Sequence, residues 1–398
     1  MELTRYLEHA LPADPSATLA ARVLDPQLGP CVVALRGDSA VDITAVSPTM
    51  SHLLDRPDAV DVVRSAPGER TWPVRELLTE SLTQGAGARF LAPLDLQVIK
   101  AAGVTFVRSM LERVIEEQAA GDPARASLVR GRLAEVVGGA ISSVVPGTPH
   151  AAEVKRVLLD EGLWSQYLEV GIGPDPEIFT KAPVLSAVGL GAQIGVLARS
   201  TWNNPEPELV LAVTSAGRPV AATLGNDVNL RDFEGRSALL LAEAKDNNAS
   251  CAIGPALRLF DEGFGLDDVR GVDITMRIAG TDGFVLDGTS SLSEISRDPA
   301  DLVGHAFGAH HQYPDGFVLF TGTMFAPTED RDAPGEGFTH KEGDVVAIST
   351  PALGTLVNTV TAAESAPPWS YGIRALMEAL VRRGVLGAGT GPVTEAAR

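Results

Sequence analysis

The stretch that decides the fold reads Trp202-Asn203-Asn204-Pro205-Glu206-Pro207-Glu208, and the apolar run Leu209-Val210-Leu211-Ala212-Val213 follows it directly. An uninterrupted apolar run of this length predicts a buried strand. The prolines before it cannot donate to a sheet ladder and favour a strand edge, so the alternative is a solvated edge that carries two acids. Successive side chains of an extended chain point to opposite faces. Glu206 and Glu208 therefore lie on the same face, roughly 7 Å apart along the strand.

A third carboxylate comes 19 residues after Glu208, in the turn-like stretch Gly225-Asn226-Asp227-Val228. Two carboxylates on one face at a buried sheet end repel each other unless a positive charge lies between them. With Asp227 added, the three form an all-oxygen site of the kind that suits Mg²⁺ or Mn²⁺. Lys245, another 18 residues along the chain, is a candidate for proton transfer beside such a site. We expect burial and a neighbouring cation to lower its pKa.

Composition limits the classes of partner. The 398 residues carry 51 acidic and 32 basic side chains, so the net charge is -19. That excess argues against nucleic acid or an anionic membrane as a partner, and an anionic substrate would need a local positive site. The only two cysteines, Cys31 and Cys251, form neither a disulfide framework nor a zinc cluster. Together with an N-terminus that lacks a signal-peptide pattern, they predict a soluble cytoplasmic protein.

Length and patterning predict two domains of an α+β, β-rich fold. Residues 1–90 are predicted as a small α+β domain, and residues 91–398 as a catalytic domain of the β-sandwich or roll type. Helices are predicted from residue 106, over about 123–137, beyond Lys155, near 233–245 and 298–310, and as an amphipathic helix from Tyr371 to Arg383.

The order and spacing of several motifs resemble the fumarylacetoacetate hydrolase superfamily from about Pro93 to Val360. The motifs are Glu206-Pro207-Glu208, Gly225-Asn226-Asp227-Val228 with Arg231-Asp232, Lys245 before Ile253-Gly254-Pro255, Thr321-Gly322-Thr323, Gly343-Asp344-Val345 and Leu353-Gly354. The resemblance implies a mixed β-sandwich roll for the catalytic domain, Mg²⁺ or Mn²⁺ as cofactor, and a homodimer or homotetramer.

One departure from the family pattern bears on the reaction. Hydrolases of the family carry a motif like G-x-N-Y-x-x-H-x-x-E, whose His and Glu activate water. The matching stretch here starts at Gly103, with Ser109 at the His position and Glu112 retained. A neutral hydroxyl cannot take a proton from water at pH 7 as an imidazole can. With this serine and its long N-terminal extension, the chain is similar to the sugar-acid dehydratase branch of the family.

The resemblance also implies roles for individual residues. The implied metal ligands are Glu206, Glu208 and Asp227; the implied catalytic residues are Lys245, Glu112 and Ser109; the implied substrate-binding residues are Lys181, Arg231, Asp232 and Thr323. Arg231 and Asp232 have an alternative interpretation as an ion pair that holds the turn. Which of Lys245 and Glu112 acts as the base stays open.

The implied reaction is dehydration of a small anionic 2-keto acid. The substrate would be 2-keto-3-deoxy-D-xylonate, the same compound as 2-keto-3-deoxy-D-arabinonate. The product would be 2-oxoglutarate semialdehyde, in pentose catabolism. The alternatives are an acylpyruvate or diketo-acid hydrolase, or an oxaloacetate-type decarboxylase, on the same metal site. A non-catalytic binding protein is the third hypothesis, and the intact acid triad with Lys245 argues against it.

Overall fold

The computed structural model describes residues 3–68, 70–106, 110, 114, 131, 144–325, 327, 329–333 and 337–386. The fold is α+β and dominated by β-sheet, so the predicted fold class is confirmed. The strands are β1 (Leu19–Asp25), β2 (Gly29–Arg36), β3 (Ser39–Asp42), β4 (Thr71–Pro73), β5 (Arg89–Leu91), β6 (Val98–Gly103), β7 (Glu177–Ala182), β8 (Gln193–Val196), β9 (Asn203–Asn204), β10 (Pro207–Val213), β11 (Pro219–Asp227), β12 (Asn229–Leu230), β13 (Cys251–Leu259), β14 (Asp273–Ala279), β15 (Val285–Ser291), β16 (Phe317–Phe320), β17 (Val345–Thr350) and β18 (Gly354–Ala362).

Short helices decorate the sheets. The α-helices are α1 (Met50–Leu54), α2 (Ala59–Ser65), α3 (Val74–Thr83), α4 (Pro149–Asp160), α5 (Gln166–Ile172), α6 (Arg231–Glu234), α7 (Leu241–Lys245), α8 (Leu266–Val269), α9 (Pro299–Ala306) and α10 (Ile373–Arg382), and 3-10 turns cover Leu3–His9, Ala238–Leu240 and Leu292–Glu294. Across the part of the chain that the structure describes, no helix is both long and apolar enough to cross a bilayer.

Most predicted helices that fall on described residues are found, with shifted bounds. The helix expected beyond Lys155 begins earlier, at Pro149, because the Thr148 side chain accepts a hydrogen bond from the Ala151 amide and caps it. The region 233–245 divides into α6, a 3-10 turn and α7. The helices predicted from residue 106 and over 123–137 lie almost wholly outside the described residues.

Two sheets provide the framework. The larger has eleven strands in the order β4-β3-β2-β1-β13-β11-β10-β16-β6-β7, with β5 paired to β1. Its strand pairs are antiparallel except β16 with β6. The smaller runs β15-β14-β17-β18-β8, and β9 pairs separately with β12.

Strand β10 lies inside the larger sheet and is buried on both faces. Leu209 and Leu211 belong to a hydrophobic cluster shared with β14 and β17 of the smaller sheet. Val210 and Ala212 belong to a second cluster that includes residues of α1 and α2. Burial on both faces explains why the strand is apolar throughout instead of alternating. Glu208 has the same parity as Val210, so its side chain is directed to the second face.

The N-terminal strands extend the same sheet. Leu19 of β1 pairs with Arg258 of β13, and Ala20 and Met50 lie in the cluster that contains Val210. The division into domains at residue 90 stays a prediction.

A buried ion-pair network fixes the segment before β17. Arg331 donates hydrogen bonds to both Asp344 carboxylate oxygens, at 2.6 and 2.8 Å, and the His340 ring lies 3.3 Å from Oδ2. Burial alone would raise the pKa of Asp344, but the hydrogen bonds from Arg331, His340 and the Lys341 amide outweigh it and lower the pKa to about 2. The ionised carboxylate is therefore part of the folded structure.

We expect Asp344→Asn to lower the free energy of unfolding by about 3 kcal/mol at pH 7, because it removes the buried one of the two carboxylates that pair with the Arg331 guanidinium and leaves only the exposed Asp282. The pKa of Asp344 is lower in the folded chain than in the unfolded chain. Its contribution is therefore complete above about pH 4 and is lost as pH falls towards 2. Urea unfolding between pH 2 and 7 measures both effects.

Asp287→Asn is the matched control. It breaks the pair with Arg277, whose side chains are 61% and 46% exposed, and exposed pairs contribute about 0–1 kcal/mol. Equal losses in the two variants would contradict a stabilising role for the buried network.

Candidate active site and metal centre

Three predicted carboxylates meet at one point. Glu206, Glu208 and Asp227 are at most 2% exposed, and one oxygen of each lies within 4.8 Å of the other two. The distance along the chain is bridged by the β10–β11 hairpin, in which Glu208 pairs with Gly225 and Pro207 with Asn226. The predicted juxtaposition is therefore present.

Hydrogen bonds connect the segment that carries Glu206 to the segment that carries Asp227. The Asp227 amide donates to the Glu206 carbonyl at 3.0 Å, and the Glu206 amide donates to Asn226 Oδ1 at 3.0 Å. Asp227 closes β11 at its pairing with Cys251 of β13. Hydrogen bonds at both the amide and the carbonyl of Glu206 thus fix the backbone position from which its side chain extends.

Glu208 is held by the Thr321-Gly322-Thr323 turn. The Gly322 amide donates to Glu208 Oε2 at 2.7 Å, and the Thr323 hydroxyl donates to Oε1 at 3.2 Å. Glycine is required here because φ is +107° and a Cβ would lie 1.8 Å from Thr105 Oγ1. The Thr105 hydroxyl donates to the Thr321 carbonyl at 2.6 Å and so helps to hold the turn in place.

The three carboxylates of the cluster repel one another. Burial, followed by the charges of Asp227 and Glu206, raises the pKa of Glu208 well above its usual range, while Lys245 acts in the opposite direction. Such a cluster requires compensation by cations.

Lys245 supplies part of that compensation from the end of α7. Its Nζ lies 2.5 Å from Glu206 Oε2 and 3.0 Å from Asp227 Oδ2. Burial alone would lower the pKa of Lys245, but Asp227 and Glu206 outweigh burial and raise it. The predicted lowering of the Lys245 pKa depended on a neighbouring cation and stays a prediction. A divalent cation on the same carboxylates would act in the opposite sense, by repulsion.

Lys181 is the second buried cation. It lies on β7 with 0% exposure, and its Nζ donates to the Lys245 carbonyl and, at 3.1 Å, to the Val228 carbonyl. Nζ also lies 2.8 Å from Asp227 Oδ1, an ion-pair distance without hydrogen-bond geometry. Lys181 and Asp227 form an ion pair, because a charge interaction at this distance does not depend on the angle.

The charges fit a divalent cation. Were all three carboxylates ionised, as a bound cation would favour, the ammonium groups of Lys181 and Lys245 would leave one unit of negative charge among these five groups. Carboxylate oxygens are the ligands that Mg²⁺ prefers, and Glu206, Glu208 and Asp227 are the residues that would hold it. With the cation, the cluster would carry a positive charge suited to an anionic substrate.

Arg231 and Asp232 lie at the beginning of α6, close to the loop before Glu206. The Arg231 guanidinium lies 5.2 Å from the Trp202 ring, and its side chain is buried. Asp232 accepts hydrogen bonds from the Ser200 hydroxyl and the Thr201 amide at 2.8 and 2.9 Å. Asp232 thus fixes that loop, and the predicted substrate-binding roles of both residues stay predictions.

Ser109 and Glu112 lie outside the described residues. Their described neighbours Phe106 and Met110 are buried, and Phe106 forms a bridge with Ile295. The predicted catalytic roles of Ser109 and Glu112 stay predictions.

Three residues that hold the site were not among the predicted site residues: Asn226, Asn229 and Glu234. Asn229 Nδ2 lies 3.1 Å from Glu206 Oε1 and 2.6 Å from Glu234 Oε2. Polar residues spaced one, two or seven positions from Asp227 were the available signal, but turn chemistry explained the asparagines equally well.

Comparisons with known proteins agree with this architecture. The family model for the C-terminal region of fumarylacetoacetate (FAA) hydrolase matches residues 150–361. A probable 2-keto-3-deoxyxylonate dehydratase from Haloferax volcanii is 34% identical over 195 residues, which cover 49% of this chain and 63% of that protein. A 2-dehydro-3-deoxy-D-arabinonate dehydratase from Saccharolobus solfataricus is 31% identical over 185 residues, or 46% of this chain and 58% of that protein. The chain thus matches less than two thirds of the length of either relative.

Solved structures share the fold. A 2-keto-3-deoxy-D-arabinonate dehydratase complexed with magnesium and 2,5-dioxopentanoate has a TM-score of 0.60 at 22% identity, covering 86% of this chain and 99% of that one. A 5-carboxymethyl-2-hydroxymuconate delta-isomerase from Mycobacterium smegmatis has a TM-score of 0.52 at 20% identity, covering 86% and 98%. With a family model matched over more than half of its residues and this fold around the acid triad, the chain belongs to the fumarylacetoacetate hydrolase family.

Proposed function

We propose that this chain is a metal-dependent hydro-lyase that dehydrates a 2-keto-3-deoxypentonate. The observation that carries the proposal is the buried triad of Glu206, Glu208 and Asp227 with Lys245 in direct contact. Support comes from two relatives that are named as dehydratases of 2-keto-3-deoxy sugar acids. A related fold is known with magnesium and 2,5-dioxopentanoate, which is 2-oxoglutarate semialdehyde.

The proposed reaction removes one molecule of water and needs no oxidant. A proton leaves C3 and the hydroxyl leaves C4 with a second proton, so that a C3–C4 double bond forms. A proton shift from C5 to C3 moves the double bond to C4–C5, and the resulting enol tautomerises to the aldehyde. When bound, a divalent cation supplies Lewis acidity that makes the C3 protons of a 2-keto acid more acidic.

The protein's own residues then handle protons and position. One of Lys245 and Glu112 is proposed to act as the base and the other as the acid. Arg231 is proposed to donate to the substrate. Thr323 has one hydroxyl hydrogen, which it donates to Glu208, so its proposed part in substrate binding requires that this hydrogen bond be exchanged for one to the substrate. Lys181 and Asp232 contact protein atoms, so their proposed part in substrate binding is indirect. Ser109 replaces the imidazole that water activation needs, which favours elimination over hydrolysis.

A cytoplasmic location is part of the proposal. Cys31 and Cys251 are free and buried, and burial raises the pKa of each thiol to about 12. Neither thiol ionises at neutral pH, so both act as small apolar core residues.

A homo-oligomer is also proposed. Helix α10 buries Leu376 and Leu380, whereas Ile373, Met377 and Val381 form a row on its outer side and are 49%, 56% and 59% exposed. Residues four apart lie on one helix face, so the row is continuous. A two-fold axis beside it would pair the row with the same row of a second copy.

Metal dependence is expected to be complete. Excess EDTA should abolish turnover and Mg²⁺ should restore it, because the three carboxylates need the cation's charge. Glu206→Gln should weaken Mg²⁺ binding by at least about 10-fold in calorimetry while the fold is retained. Glu262→Gln, at a side chain that is 76% exposed, is the control and should bind as the unmodified protein does. Full activity in excess EDTA would exclude the metal assignment.

The reaction class follows from a comparison of substrates. We expect 2-keto-3-deoxy-D-xylonate to yield stoichiometric 2-oxoglutarate semialdehyde, and acylpyruvates to be hydrolysed at least about 100-fold less efficiently by kcat/KM. Lys245→Ala should abolish dehydration and retain Mg²⁺ binding, whereas Lys155→Ala, in a half-exposed pair with Glu169, should change neither. Faster C–C cleavage than dehydration would identify a hydrolase, and CO₂ from oxaloacetate would identify a decarboxylase.

The assembly prediction uses α10. Light scattering at micromolar concentration should give at least a dimer, and Met377→Glu should shift it towards monomer, because a charge in a paired apolar row is desolvated. The control Glu378→Gln changes an exposed neighbour on the same helix and should leave the mass unchanged. A monomeric unmodified protein would contradict the prediction.

A further inference from the structure

We propose that Asn229 is a positioning residue of the metal centre: its side-chain amide bridges Glu206 to Glu234 and so fixes the direction of the Glu206 carboxylate. This inference rests on the proposed function, since it assigns Glu206 as a metal ligand. It adds two residues, Asn229 and Glu234, that the motifs did not single out.

The bridge uses both hydrogens of one nitrogen. Nδ2 of Asn229 lies 3.1 Å from Glu206 Oε1 and 2.6 Å from Glu234 Oε2. A primary amide nitrogen carries two donors, so each carboxylate receives one. Hydrogen bonds to an ionised acceptor are roughly twice as strong as those between neutral groups. Asn229 is 0% exposed, so water does not compete for these donors.

The backbone of Asn229 is fixed independently of its side chain. Strand β12 pairs with β9, and Asn229 lies opposite Asn204, two residues before Glu206. The amide therefore approaches Glu206 from a strand that is itself paired with the segment leading into Glu206. Little conformational entropy is lost when the bridge forms, because its donor is already in place.

Few other side chains could form this bridge. Serine or threonine has a single O–H donor and cannot serve two carboxylates. Aspartate would add a third negative charge between Glu206 and Glu234 and would repel both. Asparagine combines two donors on one atom with no charge, which is what two neighbouring carboxylates require.

The bridge complements Lys245. Glu206 Oε1 accepts a hydrogen bond from Asn229 Nδ2, and Glu206 Oε2 accepts one from Lys245 Nζ at 2.5 Å. A carboxylate has about four acceptor positions, so donors on both oxygens leave lone pairs for a cation. Held from both sides, the carboxylate cannot rotate freely. Glu234 is half-buried and also attracts Lys245, so it links the centre to the protein's outer part.

The first experiment measures Mg²⁺ binding by calorimetry, independently of turnover, together with Tm. Asn229→Leu keeps the number and branching of the side-chain heavy atoms and removes both donors. It should raise the Kd for Mg²⁺ about 10- to 100-fold, the usual effect of losing an outer partner of a metal ligand.

Asn358→Leu is the matched control. Asn358 is 1% exposed and its amide also donates twice, but to the backbone carbonyls of Gly189 and Ala192 and not to a carboxylate of the triad. It should lower Tm comparably and leave the Kd within about 3-fold. An unchanged Kd in Asn229→Leu would overturn the role of Asn229 and leave the metal assignment intact. Absence of Mg²⁺ binding by the unmodified protein would overturn the metal assignment and this proposal together.

Two variants of Glu234 test the far end of the bridge, and they remain informative should Asn229→Leu not fold. Glu234→Gln removes the charge and keeps an acceptor oxygen, whereas Glu234→Ala removes both. The bridge predicts that the Kd for Mg²⁺ rises at least about 3-fold more in Glu234→Ala than in Glu234→Gln, which corresponds to the loss of one hydrogen bond. Equal values would show that only the charge of Glu234 matters and would overturn the bridge.

Discussion

The structure depends on the compensation of three carboxylates buried in one place. Glu206, Glu208 and Asp227 would repel one another strongly if nothing opposed them, because burial removes the water that normally screens such charges. Lys181 and Lys245 oppose that repulsion from β7 and α7, two elements that are distant in the sequence and contact each other in the fold. The remaining negative charge is what would suit the cluster to a divalent cation.

The framework that carries the triad is rigid for a reason visible in β10. Its odd residues pack against the smaller sheet and its even residues against α1 and α2, so both faces of the strand are fixed by packing. Glu208 continues the even row and is met by the Gly322 amide. The turn can approach this closely only because Gly322 lacks a Cβ, which leaves room for Thr105. Apolar packing thus sets the positions of charged groups to within hydrogen-bond distance.

Different parts of the site were predictable to different degrees. The triad itself followed from side-chain alternation at Glu206 and Glu208 and from the turn at Asp227, and these are local properties. The two carboxylates that contact Lys245 raise its pKa, because their attraction outweighs burial. The predicted lowering depended on a neighbouring cation as well and stays a prediction. Lys181 was placed at the site, but its contacts with the Val228 and Lys245 carbonyls follow from the packing of β7 against α7.

The sequence by itself determined the strand from Leu209 to Val213, the three candidate ligands and the family, because each depends on periodicity or on the order and spacing of short motifs. Only the tertiary structure decided the partners of each group: Lys181 with Asp227, Lys245 with Glu206, and Asn229 between Glu206 and Glu234. Those pairings depend on strand register and on distances between residues as many as 46 positions apart, from Lys181 to Asp227. A hydrogen bond is made or lost over a few tenths of an ångström, and no local pattern in a sequence fixes a distance that finely.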